Sequence, residues 1–183
     1  MGKLFGTDGI RGVANETLDA KLAYRVGQAA AISLADDSGT KPTVVIGKDT
    51  RISSDMLEGA LVAGLTACGC NAILLGVVPT PAVAYLTIYL HADAGVVISA
   101  SHNPYSDNGI KFFDADGFKL PDDVENEISR MVLDPDFRWP YPASDKVGRA
   151  SKIEDAGGRY IVYTKSCFPP QLTLAGLRIV IDC

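Results

Sequence analysis

From Thr43 to Ile98 the chain alternates short unbroken apolar runs with longer segments whose apolar residues recur every three or four positions. Thr43-Val44-Val45-Ile46, Ala72-Ile73-Leu74-Leu75 and Gly95-Val96-Val97-Ile98 are runs of the first kind, the pattern of strands buried on both faces of a parallel sheet. Between the first two, Met56, Leu57, Ala60, Leu61, Gly64, Leu65 and Cys68 fall on one helical stripe. Ser53 or Ser54 is the predicted cap, Asp55 and Glu58 favour the first turn, and Gly69 is the predicted stop. A further helix is predicted from Ala82 to Leu90, with Pro81 in its first turn. Upstream, Leu18, Leu22, Val26 and Ala29/Ala30 predict a helix capped by Thr17 that runs out at Asp36-Asp37-Ser38-Gly39.

This β-α repeat predicts an α/β fold, a three-layer α/β/α sandwich with a mixed, mostly parallel sheet, because parallel neighbours need a crossover helix between them. One strand departs from the rule. Ile110 to Phe113 follows Ile98 with no helix between, through a loop carrying Asn108-Gly109, so an antiparallel edge strand is expected there. Pro121 then opens a helix through Ile128 and Met131-Val132. Residues 134–150, with three prolines and no periodicity, read as a linker. A helix from Ile153 to about Thr164 and an apolar strand from Leu177 to Ile181 follow. The expected division is a domain over 1–133, a linker over 134–150, and the beginning of a second α/β domain over 151–183. A buried-type strand at 177–181 with nothing to cover it predicts either disorder or pairing with another chain, which leaves a homo-oligomer open.

Composition narrows the class without naming it. Of 183 residues, 47% are hydrophobic and 21% charged, as in ordinary globular chains. The formal net charge of −5, with no lysine or arginine cluster, argues against a nucleic-acid partner. Met1 to Thr7 lacks the apolar stretch of a signal peptide, and no apolar run approaches the roughly 20 residues that cross a bilayer. The expectation is a soluble cytoplasmic protein with no membrane partner. Cys68 and Cys70 have C-x-C spacing, not that of a zinc site, and Cys167 and Cys183 lie far away, so four reduced thiols are expected.

The candidate chemistry follows from where the polar loops fall. In open α/β sheets ligands sit beyond the carboxyl ends of the parallel strands, so the loops after Ile46 and Ile98 should share one rim. The second reads Ser99-Ala100-Ser101-His102-Asn103-Pro104. Alternation along an extended strand would point Ser99 and Ser101 alike, with Ser101 at the tip. A serine is a weak nucleophile without a neighbouring base or cation, and His102, Lys111 and Arg11 are the candidate helpers. No G-x-S-x-G elbow surrounds Ser101, and His91 gives no sign of a triad, so a hydrolase is excluded as the leading reading. Residue types alone leave two readings open, an ordinary polar turn and an anion or phosphoryl site.

The stretches "FGTDGIRG" at 5–12, "GKDTR" at 47–51 and "ISASHNPYSDNGIKFF" at 98–113, with Asp182-Cys183 opening a further motif, resemble the signatures of the α-D-phosphohexomutases. The resemblance runs in order along the whole chain, and Ser99 favours the glucosamine branch of that family. It implies an isomerase whose serine, matching Ser101, is phosphorylated and exchanges its phosphoryl group with a hexosamine phosphate. Glucosamine 6-phosphate and glucosamine 1-phosphate would interconvert through glucosamine 1,6-bisphosphate, feeding UDP-N-acetylglucosamine and cell-wall synthesis. Arg11 would clamp phosphoryl oxygens, Lys111 would serve as point charge or general acid/base, and His102 would orient the loop or share the proton work. The family's Mg²⁺ would be held by the phosphate on Ser101 and by an aspartate-rich loop not found among these residues. Asp114-Ala115-Asp116-Gly117 is read as a solvated turn, not a metal loop. The alternatives are a phosphomannomutase or phosphoglucomutase, or a non-catalytic phosphosugar-binding module; this segment alone is expected to be inactive.

Overall fold

The computed structural model describes residues 4–35 and 40–182. The expected stop at Asp36–Gly39, the first three residues and Cys183 lie outside the described residues. Elements follow in the order β1 (Ile10–Val13), α1 (Ala20–Ser33), β2 (Thr43–Lys48), α2 (Ser53–Ala67), β3 (Asn71–Val77), α3 (Thr80–Tyr89), β4 (Ala94–Ile98), β5 (Asp107–Asp114), α4 (Asp122–Leu133), β6 (Ala150–Lys152) and α5 (Ala156–Ser166).

The six strands form one sheet in the order β1-β5-β4-β2-β3-β6. The pairs β4-β2, β2-β3 and β3-β6 are parallel, while β5 runs antiparallel to both of its neighbours. Alternation along β2 sorts the layers. Val44 and Ile46 share a core with Val26 of α1, Leu57 and Leu61 of α2, and Ile128 and Met131 of α4. Val45 faces the other way, into a core with Val83 and Leu86 of α3 and with Ala156 at the start of α5. A strand covered on both sides has no polar face to show, which is why β2 reads as a continuous apolar run.

The α/β sandwich is as expected, and several details differ from the sequence reading. The antiparallel strand is internal, because β1 pairs along its outer side with Ile10 opposite Ile110 and Val13 opposite Asp107. Asn108-Gly109 lies inside β5, where the Asn108 side chain is buried, and does not form the turn. Asp19, not Thr17, caps α1 by accepting from the Leu22 amide at 2.7 Å, while the Thr17 hydroxyl accepts from Val13 N. Neither Ser53 nor Ser54 caps α2, since their hydroxyls are engaged by Asn108 and Ser54 also donates to Asp49.

Two glycines set the spacing of α1 and α2. A Cβ on Gly64 would stand 2.1 Å from the Tyr24 carbonyl oxygen, and one on Gly27 2.4 Å from that of Leu61. Toward the C-terminus, β6 extends the same sheet and α5 packs on α3. Leu177 to Ile181 forms no strand among the described residues and is exposed throughout. No described helix is long and apolar enough to cross a membrane.

Candidate active site

The carboxyl ends of the parallel strands β2 and β4 open into two loops, residues 49–52 and 99–106, that meet on one rim. Asp49 N donates to Ile98 O, so the two loops are joined at their bases. A cavity of about 580 Å³ between them is lined by Asp49, Thr50, Arg51, Ser99, Ser101 and Asn103, together with Ile52 and Tyr105.

Extended conformation ends at Ile98, and this separates the two serines that alternation would have aligned. Ser99 is buried and accepts the Ser101 amide on its hydroxyl at 3.0 Å. Ser101 is exposed, with φ at +57°, in the left-handed region. For a residue with a Cβ this costs on the order of 1–3 kcal/mol and persists only where the surroundings over-determine it. The Asn103 amide closes a turn onto Ala100 O, and the Asp107 amide closes another onto Pro104 O. His102 Nδ1 lies 3.4 Å from Ser101 Oγ, and both side chains face solvent.

Arg51, which the sequence reading did not single out, fills the inside of this loop. Its Nη2 donates to the carbonyls of Ser101 (3.0 Å) and Asn103 (2.8 Å), and its Nη1 to those of Pro104 and Asp107. Its Nε donates to Asp49 Oδ2 at 3.1 Å. Asp49 also accepts from the Arg51 amide and the Ser54 hydroxyl. Burial alone would raise its pKa, but the Arg51 amide, the hydroxyls of Ser99 and Ser54 and the guanidinium outweigh it and hold the carboxyl below its ordinary value of 3.8. Asn108 ties the next layer together, donating to Ser53 and Ser54 at the start of α2 and accepting from Gly109 N. Gly109 is required by close approach, since a Cβ there would lie 2.7 Å from Ser99 O.

The two candidate cations stand on β1 and β5, on the sheet face opposite Ile10 and Ile110. One carboxylate oxygen, Asp8 Oδ2, accepts from both Arg11 Nη2 (3.0 Å) and Lys111 Nζ (2.5 Å). The Lys111 ammonium first, then the Arg11 guanidinium, holds Asp8 below the ordinary carboxylate range despite some desolvation. Arg11 Nη1 reaches Asn103 Oδ1 at 3.1 Å, so the pair is linked to the serine loop two residues beyond Ser101. A second cavity, about 490 Å³, lies against Asp8, Gly9 and Arg11. Ser101, His102 and Arg11 therefore meet at one loop directly, and Lys111 joins through Asp8. A further cation, Lys48 at the end of β2, is taken up by Asp55 and Glu58 of α2.

Asp114 accepts the amides of Asp116 and Phe118 on one oxygen, and Gly117 has φ +78°, so this stretch is the expected turn. Among the described residues no group of three or more His, Cys, Asp or Glu could hold a metal ion.

Residues 2–139 match the family model of phosphoglucomutase/phosphomannomutase, alpha/beta/alpha domain I. The chain is 62% identical to the phosphoglucosamine mutase of Desulfovibrio desulfuricans over 99% of its own length and 40% of that protein's. It is 53% identical to the phosphoglucosamine mutase of Syntrophus aciditrophicus, covering 41% of that protein. A crystal structure of a phosphoglucomutase/phosphomannomutase family protein from Burkholderia thailandensis superposes with a TM-score of 0.72 at 28% identity, over 87% of this chain and 34% of that one. The chain thus spans about two fifths of the length of the curated relatives it matches.

Proposed function

The chain belongs to the phosphoglucomutase/phosphomannomutase family, and on that premise we propose that it is the N-terminal part of a phosphoglucosamine mutase, supplying the serine that carries the phosphoryl group. The observation that carries the proposal is Ser101 itself, exposed at the tip of a rim loop in a left-handed conformation, with Arg11 tied to the same loop. In the proposed division, residues 1–133 hold this site, 134–150 connect, and 151–183 begin a second α/β unit.

In the first transfer the O1 hydroxyl of glucosamine 6-phosphate attacks the phosphorus on Ser101 Oγ. The P–O1 bond forms as the P–Oγ bond breaks, the hydroxyl proton leaves to a base, and Oγ is reprotonated. The product is glucosamine 1,6-bisphosphate, which turns around in the site. Ser101 Oγ then takes the phosphoryl group from O6, and glucosamine 1-phosphate departs from a phosphorylated enzyme. Such transfers depend mainly on positioning and on neutralising charge on the phosphoryl oxygens. Arg11 is proposed to supply the neutralising fork, since three of its five N–H groups have no protein acceptor among the described residues. Lys111 and His102 are proposed to give and take the proton, in a cytoplasmic enzyme acting on a hexosamine phosphate.

A Mg²⁺ ion, which the family implies, would supply further charge neutralisation at the transferred group. The described residues do not fit it by themselves: a phosphorylated Ser101 offers one oxygen, and no acidic cluster stands beside it. Its other ligands are proposed to lie in the remaining part of the longer protein.

In the full-length protein, treatment with the sugar bisphosphate followed by peptide mapping is expected to place a phosphate on Ser101, and Ser101→Ala is expected to abolish mutase turnover. Undiminished turnover in the Ser101→Ala protein overturns the assignment. The family membership of the Burkholderia structure keeps a second substrate reading in view, a phosphomannomutase or phosphoglucomutase. Assays with the competing hexose 6-phosphates separate them, and a Ser101 that never takes up phosphate indicates a binding module instead.

A further inference from the structure

We infer that Arg51 is the positioning residue of the serine loop: it fixes the backbone on which Ser101 stands and takes no part in holding the phosphoryl group. The inference deepens the reading above and rests on it for the importance of Ser101, while the grip on the loop is independent of that reading.

A guanidinium has five N–H donors in a rigid plane and accepts nothing. In Arg51 all five have protein acceptors: Nε is on Asp49, the two of Nη1 are on the carbonyls of Pro104 and Asp107, and the two of Nη2 are on those of Ser101 and Asn103. No donor remains for a phosphate oxygen, and the side chain is only 11% exposed. Four carbonyls drawn from residues 101–107 converge on a single planar group, so the loop must wrap around it with its carbonyls inward. That wrapping is what over-determines the left-handed Ser101 and leaves its hydroxyl facing outward, beside His102. Asp49 holds the fork from behind through the Nε and the Arg51 amide, and Ser54 and Asn108 fasten Asp49 and α2 in turn. A lysine in this position keeps the charge but has neither the plane nor the reach to address four carbonyls.

Arg11 has the opposite occupancy, with two donors used on Asn103 and Asp8 and its remaining donors without acceptors among the described residues. The two arginines of this rim therefore divide the work, one shaping the loop and the other facing what the loop carries.

The test is Arg51→Lys in the full-length protein, with Ser101→Ala measured in parallel. With uniform binding unaffected, KM for the sugar phosphate is expected to stay within about twofold. The turnover number is expected to fall roughly 100-fold, the scale on which a displacement of about 1 Å acts. Hydrogen exchange at the amides of Ser101, Asn103 and Asp107 is expected to accelerate, while Val45 and Val96 in the core strands keep their protection. Free guanidinium is expected to restore part of the turnover to Arg51→Ala. Unchanged loop exchange, or a KM that rises as far as turnover falls, overturns the inference. If Arg51→Lys loses core protection, Asp49→Asn is read in its place, with the same split expected and the same outcomes decisive. A Ser101→Ala protein that keeps full turnover defeats the function reading alone, because loop exchange in Arg51→Lys still decides what Arg51 does.

Discussion

Asp49 shows how much of this site is held by a group that never needs to touch substrate. Its carboxylate accepts from the Arg51 amide, the Arg51 Nε and the Ser54 hydroxyl, and those bonds keep its folded pKa below the ordinary 3.8. A depressed folded pKa means that the unfolded chain binds more protons in that interval, so stability rises with pH there. The contribution is complete above about pH 4 and is lost as pH falls through the lower folded value. Asp49→Asn is therefore expected to lower the urea midpoint at pH 7 and to lie closer to the parent at pH 3; an equal gap at both pH values refutes the role. The residues that carry the proposed chemistry were legible from type and place, Ser101 at a strand end and Arg11 and Lys111 as nearby cations. Arg51 was not, although it stands in "GKDTR". Its partners are carbonyl groups some 50 residues away, and carbonyls leave no mark on a sequence.

At the level of elements, the α1–α2 contact rests on glycine where a helix would prefer alanine. Gly64 meets the Tyr24 carbonyl where its Cβ would be, whereas Gly59 on the same helix has nothing within 4 Å of that point. Gly64→Ala is expected to cost about 1–3 kcal/mol by forcing the helices apart. Gly59→Ala is expected to stabilise by about 0.4–1 kcal/mol through helix propensity and a less flexible unfolded chain. Chemical denaturation of the two variants checks both signs. The same contrast explains what could be read in advance. β2, β4, α2 and α4 announce themselves by runs and stripes, because tertiary burial there agrees with local pattern. β1 does not: of Ile10-Arg11-Gly12-Val13 only Ile10 is buried, and Arg11 points to the candidate site instead of the core. Missing β1 placed the antiparallel strand at the edge, where the sheet in fact continues by one strand.

Across the whole molecule, packing is uneven. Residues 161–182 are exposed throughout, including Leu172, Leu174, Leu177, Ile179, Val180 and Ile181. In the proposed division these residues begin a second α/β unit, and none of them belongs to the core formed by the described residues. Deleting residues 169–183 is expected to shift the melting temperature by no more than about 2 °C, the size of a surface change in a chain of this length. A large loss of melting temperature would show that the segment is part of the fold. Arg51 and the carbonyls it gathers belong to loops on opposite sides of two crossover helices, joined only when β2 and β4 lie in register. On the ribosome, where synthesis proceeds at about 5–20 residues per second, the arginine emerges several seconds before the loop it will shape. The serine loop therefore cannot take up its conformation from local contacts alone, and it is held in place only once β2 and β4 have paired.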